Sequence, residues 1–272
     1  MGRIAERFAL LDERGETALI PFITVGDPDI ETSEALVLSM AEAGADFIEL
    51  GVPFSDPIAE GPTIQRSSER SLAGGTSLNA ILELVSRLRA KVEIPLILMG
   101  YANPIFAMGF ERFAKLASEV GVDGIIIPDL PPEEGEELFA RCNELGVDGI
   151  LLAAPTTTDE RLTKLASESR GFLYYVSLTG VTGARSELAA GVEEGVRAAR
   201  GLGNIPVCVG FGISTPEQAT KIQLPVAING RFEKNADRDF YEFEAKKNEQ
   251  WAFVGQTRSL GSPSALFVQL YD

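Results

Sequence analysis

Short apolar, β-branched runs recur along this chain at intervals of about 30 residues, the length of one β-α unit, and this rhythm restricts the possible folds more than any other feature. The runs are ALIPFITV (18–25), ADFIELG (45–51), IPLILMGY (94–101), DGIIIPDL (123–130), DGILLAAP (148–155), FLYYVSL (172–178) and IPVCVGFG (205–212). They are apolar on both faces, as strands of a buried parallel sheet are, and amphipathic helical patterns separate them. Three of them follow a Gly-Ala-Asp or Gly-Val-Asp step (AGAD, VGVD, LGVD), in which a glycine ends a helix and the chain turns directly into a strand. Seven such units predict most of an α/β fold of the (β/α)8 barrel type, in which chemistry sits where the strands run out at their C-terminal ends.

Composition narrows the function. The 272 residues, 45% of them hydrophobic, suffice for one full core. No apolar run approaches the roughly 18 residues of a membrane span, and the opening MGRIAERFALLDERGE is charged and amphipathic rather than signal-like. Cys142 and Cys208 lie in apolar segments and read as packed thiols of a reducing compartment, so the expected location is cytoplasmic, with no membrane contact. A net charge of −16 without any Lys/Arg cluster argues against a nucleic-acid partner. The chain contains no histidine, which removes His-dependent triads, the usual zinc sites and the commonest acid/base group. Proton transfer must then fall to carboxylates, tyrosine or lysine, and no metal site is expected.

The stretch IELGVPFSDPIAEGPTIQ (48–65) concentrates the candidates. Glu49 falls at the C-terminal end of the second strand, and Asp56 and Glu60 follow on a loop restricted by Pro53, Pro57 and Pro62. Position alone leaves Glu49 balanced between an ion-pair partner and a catalytic group, and leaves Asp56 and Glu60 as ordinary solvated loop carboxylates.

Six motifs in order, PFITVGDP, IELGVPFSDPIAEGPTIQ, GYANPI, IPDLPPEE, YYVSLTGVTGAR and VGFGISTPEQ, resemble the tryptophan synthase alpha subunit family from the N-terminus to about Lys221. The resemblance implies retro-aldol cleavage of indole-3-glycerol phosphate to indole and glyceraldehyde 3-phosphate. It places Glu49 as the acid/base, with a pKa raised by burial against Phe22 and its neighbours. Glu60 stands where the family's loop reads ADGPTIQ, so that a glutamate replaces the aspartate that accepts the indole N–H. It also implies substrate contacts from Phe22, Tyr101, Asp129 and Phe211, and from Tyr174 as the pocket tyrosine, which could equally be a barrel-core aromatic. Gly183 in GVTGAR and Gly212 in VGFG match loops that bring backbone N–H groups to the substrate phosphate, and Thr182 matches the residue of the first of these loops that interacts with the second-strand loop. No cofactor is implied for this chain. The implied partner is the pyridoxal-phosphate-dependent beta subunit of an alpha2beta2 complex, which receives indole through a tunnel.

Beyond Lys221 the rhythm stops. The family's eighth strand, approximately ADGVVVGSA with its phosphate-binding Gly-Ser pair, is absent, and alternating segments FYEFEA (240–245), WAFVGQTRSL (251–260) and ALFVQLYD (265–272) follow. Around Asp237, Asp239, Tyr241 and Phe243 this tail resembles the opening strands of a bacterial pre-peptidase C-terminal-like β-sandwich. The expected organisation is an incomplete barrel over 1–221, truncated after the seventh β-α unit, and a partial β-sandwich-like tail over 222–272, with weakened catalysis. Two alternatives stay open: VAING (226–230) fills the eighth-strand slot, or the chain is an inactive fusion whose tail is a fragment of an extracellular interaction module.

Overall fold

The computed structural model describes residues 2–176, 192–202 and 205–210. Each apolar run contains one strand: β1 (Phe22–Thr24), β2 (Ile48–Gly51), β3 (Leu96–Met99), β4 (Gly124–Ile126), β5 (Asp148–Ala153), β6 (Leu173–Val176) and β7 (Val207–Gly210). All six neighbouring pairs are parallel and follow chain order, giving a curled seven-stranded sheet with helices against it, a TIM-barrel-like α/β fold.

The helices are more numerous than one per strand. Helix α1 (Arg3–Arg14) precedes β1, and α2 (Ile30–Glu42) joins β1 to β2. Two helices, α3 (Pro62–Ala73) and α4 (Leu78–Arg89), connect β2 to β3, and α5 (Ala102–Met108) and α6 (Phe110–Val120) connect β3 to β4. Among the described residues the remaining crossovers contain one helix each, α7 (Glu136–Glu144), α8 (Asp159–Glu168) and α9 (Val192–Gly201).

The two-residue period of each strand sorts the core into two layers. Ile48, Leu50, Leu98, Ile125, Leu173 and Val209 pack outward among the helices. Phe47, Ile97, Met99, Ile126, Phe172 and Tyr174 point to the inside of the curl, where Ile4, Phe8 and Leu11 of α1 join them. The ring of Phe8 lies 4.7 Å from that of Phe47 and 5.9 Å from that of Phe172, both at strand beginnings. Helix α1 therefore plugs the N-terminal end of the sheet, leaving the strands' C-terminal end for ligands.

The Gly-Ala/Val-Asp steps behave as their sequence predicts. Gly44, Gly121 and Gly146 have φ of +95°, +88° and +81°, and the next N–H returns to its helix: Ala45 to Met40 O, Val122 to Ala117 O, Val147 to Cys142 O. Each following aspartate donates its N–H to the start of the preceding strand, from Asp46 to Leu19 O, Asp123 to Leu96 O and Asp148 to Asp123 O. The same three-residue step thus ends a helix and sets strand register in one turn. At β4 it is reinforced, because the Asp123 carboxylate accepts from Leu96 N–H at 2.8 Å and from Arg89 Nη2 at 2.6 Å.

Cys142 and Cys208 are both buried. No helix among the described residues is long and apolar enough to cross a membrane. Thr182, Gly183, Phe211, Gly212 and the whole segment 222–272, including 226–230, lie outside the described residues.

Candidate active site

Alternation along β2 turns Glu49 inward between Phe47 and Gly51, in register with Phe22 on β1 and Ile97 on β3. Its residue is 1% exposed. Burial, which disfavours the charged form, pushes its pKa up to about 8, so the carboxyl is protonated at neutral pH. Its Oε2 has no hydrogen-bond partner among the described residues, and neither has Thr24 Oγ1 at the end of β1. Phe22 leans over Gly51: a Cβ there would come within 2.5 Å of the ring, so glycine permits the aromatic to lie across the strand end beside Glu49. The expected burial of Glu49 against Phe22 and its apolar neighbours matches this geometry.

Glu60 lies on the loop between β2 and α3, and Tyr101, one residue past Gly100 at the end of β3, holds it. The Tyr101 hydroxyl donates to the Glu60 carboxylate and accepts from Ala59 N–H at 2.9 Å. The Phe54 ring stacks on Tyr101 at 5.1 Å, and Gln65 Nε2 donates to the Glu60 carbonyl at 2.9 Å. Partial burial raises the Glu60 pKa, the Tyr101 hydrogen bond opposes the rise, and the nearby Asp129 charge adds to it. Asp129, after β4, accepts from Ala102 N–H at 2.9 Å, so it caps α5 from outside and steadies the residue next to Tyr101. Glu60, Tyr101 and Asp129 therefore meet on the segments that follow β2, β3 and β4, while Phe22 and Glu49 sit side by side on the paired strands β1 and β2. Asp56 is exposed and, among the described residues, accepts from its neighbour Ser55 at 2.5 Å, as a solvated loop carboxylate would.

Tyr174 enters from the far side of the sheet. It is buried and points inward from β6, and its hydroxyl occupies the space that a Cβ at Gly210 would need, only 1.9 Å away. The end of β7 must be glycine for this tyrosine to reach across it.

One group in the structure was not foreseen from the sequence. Asp27, in the turn after β1, accepts from Arg70 Nε at 2.8 Å and Nη2 at 2.7 Å, and from the Ser67 hydroxyl. Ser71 Oγ adds a 2.6 Å bond to the Val25 carbonyl. These bonds tie α3, and with it the Glu60 loop, to the top of β1. The available signal was the set Ser67, Ser68 and Ser71 at helical spacing, all buried, on a helix that also carries Arg66, Glu69 and Arg70.

A curled parallel sheet with an uncharged, buried glutamic acid on one strand, and a second carboxylate on the adjoining loop, is an arrangement suited to acid/base chemistry in a fold of the β/α-barrel class. Among the described residues no cluster of three or more Cys, Asp or Glu is arranged to hold a metal ion. The chain belongs to the tryptophan synthase alpha chain family, whose family-level match spans residues 8–229 and so runs past Lys221. It is 57% identical to the tryptophan synthase alpha chain of Citrifermentans bemidjiense over 222 residues, which is 82% of this chain and 83% of that one. Its fold superposes on the crystal structure of the tryptophan synthase alpha chain from Legionella pneumophila with a TM-score of 0.76 at 38% identity, covering 85% of each chain. It is also similar to a chain of the tryptophan synthase a2b2 complex of Pyrococcus furiosus, with a TM-score of 0.72 at 40% identity, covering 78% of this chain and 87% of that one.

Proposed function

We propose that this chain cleaves indole-3-glycerol phosphate to indole and glyceraldehyde 3-phosphate, with Glu49 as both general acid and general base. The carrying observation is the protonated, buried Glu49 with one carboxyl oxygen unengaged by the described residues. Cleavage requires a proton delivered to indole C3 and another removed from the hydroxyl on the adjoining side-chain carbon. As the C–C bond breaks, its electron pair returns to the ring and the hydroxyl carbon becomes an aldehyde. One carboxyl facing both atoms can perform both transfers in sequence.

Glu60 accepts the indole N–H and balances the positive charge that develops on the ring when C3 is protonated. Its side chain is one methylene longer than the family's aspartate, and the Tyr101 hydroxyl fixes where that extra length goes. Phe22, Tyr101, Asp129 and Tyr174 form the wall of the indole pocket, with Phe211 beside them. The backbone of Gly183 and Gly212 receives the phosphate, and Thr182 meets the loop after β2; the support for these last assignments is their position in the GVTGAR and VGFG motifs.

The beta subunit is the partner in this reading. Its support is family membership and the a2b2 assembly named for the Pyrococcus furiosus protein. Ile58 on the β2 loop and Phe106 on α5, both on the catalytic side of the sheet, are exposed large apolar residues that suit a protein contact. We further read the chain as a cytoplasmic enzyme whose phosphate site lacks the eighth-strand Gly-Ser pair, with the tail over 222–272 as a β-sandwich-like appendage. The reading rests on the absence of that motif from the sequence, and it implies weak substrate affinity. The test is indole release from indole-3-glycerol phosphate, with and without beta subunit, by this chain and its Glu49→Gln variant. Turnover that survives the substitution would reject the role of Glu49.

A further inference from the structure

The site contains a second buried polar group that the mechanism above does not use. Thr24 is 8% exposed, and its hydroxyl has no hydrogen-bond partner among the described residues. It ends β1 within the apolar run ALIPFITV, where a valine would have nearly the same shape and no hydroxyl to desolvate. An unsatisfied buried hydroxyl costs about 1–3 kcal/mol, so this position carries a penalty that a bound ligand could offset.

Alternation places the side chain. Ile23 and Val25 pack outward with the helices and Phe22 packs inward, so Thr24 faces the inside, on the same surface as Glu49. Thr24 is in register with Gly51 while Glu49 is in register with Phe22, which makes Thr24 and Glu49 diagonal neighbours on adjacent strands. With strands about 4.8 Å apart and about 3.3 Å of rise per residue, their Cβ atoms are separated by ~8 Å. A glutamate reaching from one side and a hydroxyl from the other leave a gap that one oxygen atom, hydrogen-bonded to both, would span. Gly51, directly opposite Thr24, adds no side chain to that gap.

We propose that Thr24 is a further substrate-contacting residue, whose hydroxyl donates to the same side-chain oxygen of the substrate from which Glu49 removes a proton. The inference rests on the substrate reading given above. As the proton leaves for Glu49 and the C–O bond becomes C=O, charge accumulates on that oxygen, and a donor already aimed at it stabilises the charge. Thr24 contributes no proton to the products, so the atom balance of the cleavage is unchanged.

The test uses Thr24→Val, which removes the hydroxyl and keeps the β-branched shape, and Thr24→Ser, which keeps the hydroxyl, both in the full chain. Binding of indole-3-glycerol phosphate is measured in the Glu49→Gln background, where it persists uncleaved, beside binding of indole-3-propanol phosphate, whose chain carries no hydroxyl. The expected result is a roughly 2- to 12-fold loss of affinity in Thr24→Val for the hydroxyl-bearing ligand alone. Serine should restore it, and with Glu49 present kcat should fall further than KM rises. Equal weakening of both ligands, or of neither, overturns the assignment. If the chain with Thr24 intact binds the propanol phosphate but not the glycerol phosphate, the Thr24 contact is refuted while the pocket stands. If it binds neither, the substrate reading itself falls, and the Thr24 assignment with it.

Discussion

Glu49 joins stability to catalysis through a single proton. An acid whose folded pKa exceeds its unfolded value holds its proton more tightly when folded, so its contribution is complete below about pH 4.5 and is lost as pH rises to about 8. The stability of the unsubstituted chain should therefore decline across that window by at most about 1.4 kcal/mol per pH unit relative to Glu49→Gln. Thermal melts of the two proteins at pH 5, 6.5 and 8 measure this, and parallel curves would mean that Glu49 is not held neutral. The same substitution should abolish nearly all indole release, since an amide cannot exchange the proton. Tyr101→Phe acts on the other carboxylate: without the phenolic donor the Glu60 pKa rises further. The acidic limb of the pH–kcat profile then moves upward, and kcat at neutral pH drops by about 10-fold. An unmoved limb would show that Glu60 does not need this partner. Glu49 was legible as a strand-end carboxylate because strand periodicity and barrel geometry are local and general. The unsatisfied Thr24 hydroxyl was not, because a buried donor without a partner becomes visible only when all its neighbours are in place.

The seven strands were readable as elements, each lying inside its apolar run but shorter than it. The paired helices after β2 and after β3 were not separated in the sequence reading, and α1 was read only as an amphipathic opening, although it plugs the sheet. The Asp27–Arg70–Ser67 cluster joins residues about 40 positions apart, and no local period encodes such a contact. The turn that supports it is tightly built. Gly26 has φ of +83°, and a Cβ there would lie 2.0 Å from Thr76 Oγ1 and 2.6 Å from Ser71 Oγ. Gly26→Ala should therefore destabilise the chain by about 3 kcal/mol, adding left-handed strain to overpacking. Urea unfolding should show a lower midpoint with an unchanged m-value, whereas an unchanged midpoint would mean that the turn relaxes without cost.

At the scale of the whole molecule, the portion of the sequence that follows the family rhythm folds as its relatives do, and the site residues from the first four strands converge at one end. The proposed phosphate side is legible only as motifs, and Gly183 and Gly212 lie outside the described residues. The pairing of the sheet is strictly nearest-neighbour, β1 with β2 through to β6 with β7, and among the described residues nothing bonds to the outer edge of β1 or of β7. The Asp123–Arg89 knot fastens the start of the β3–β4 pair near its middle. Such a sheet can unzip one strand at a time from either margin while the centre stays paired. Amide hydrogen exchange should accordingly be slowest in β3 and β4 and quicken stepwise toward β1 and β7. Uniform protection from β1 to β7 would instead mean that a segment outside the described residues joins the two margins, and that the opening of any strand waits on the opening of all.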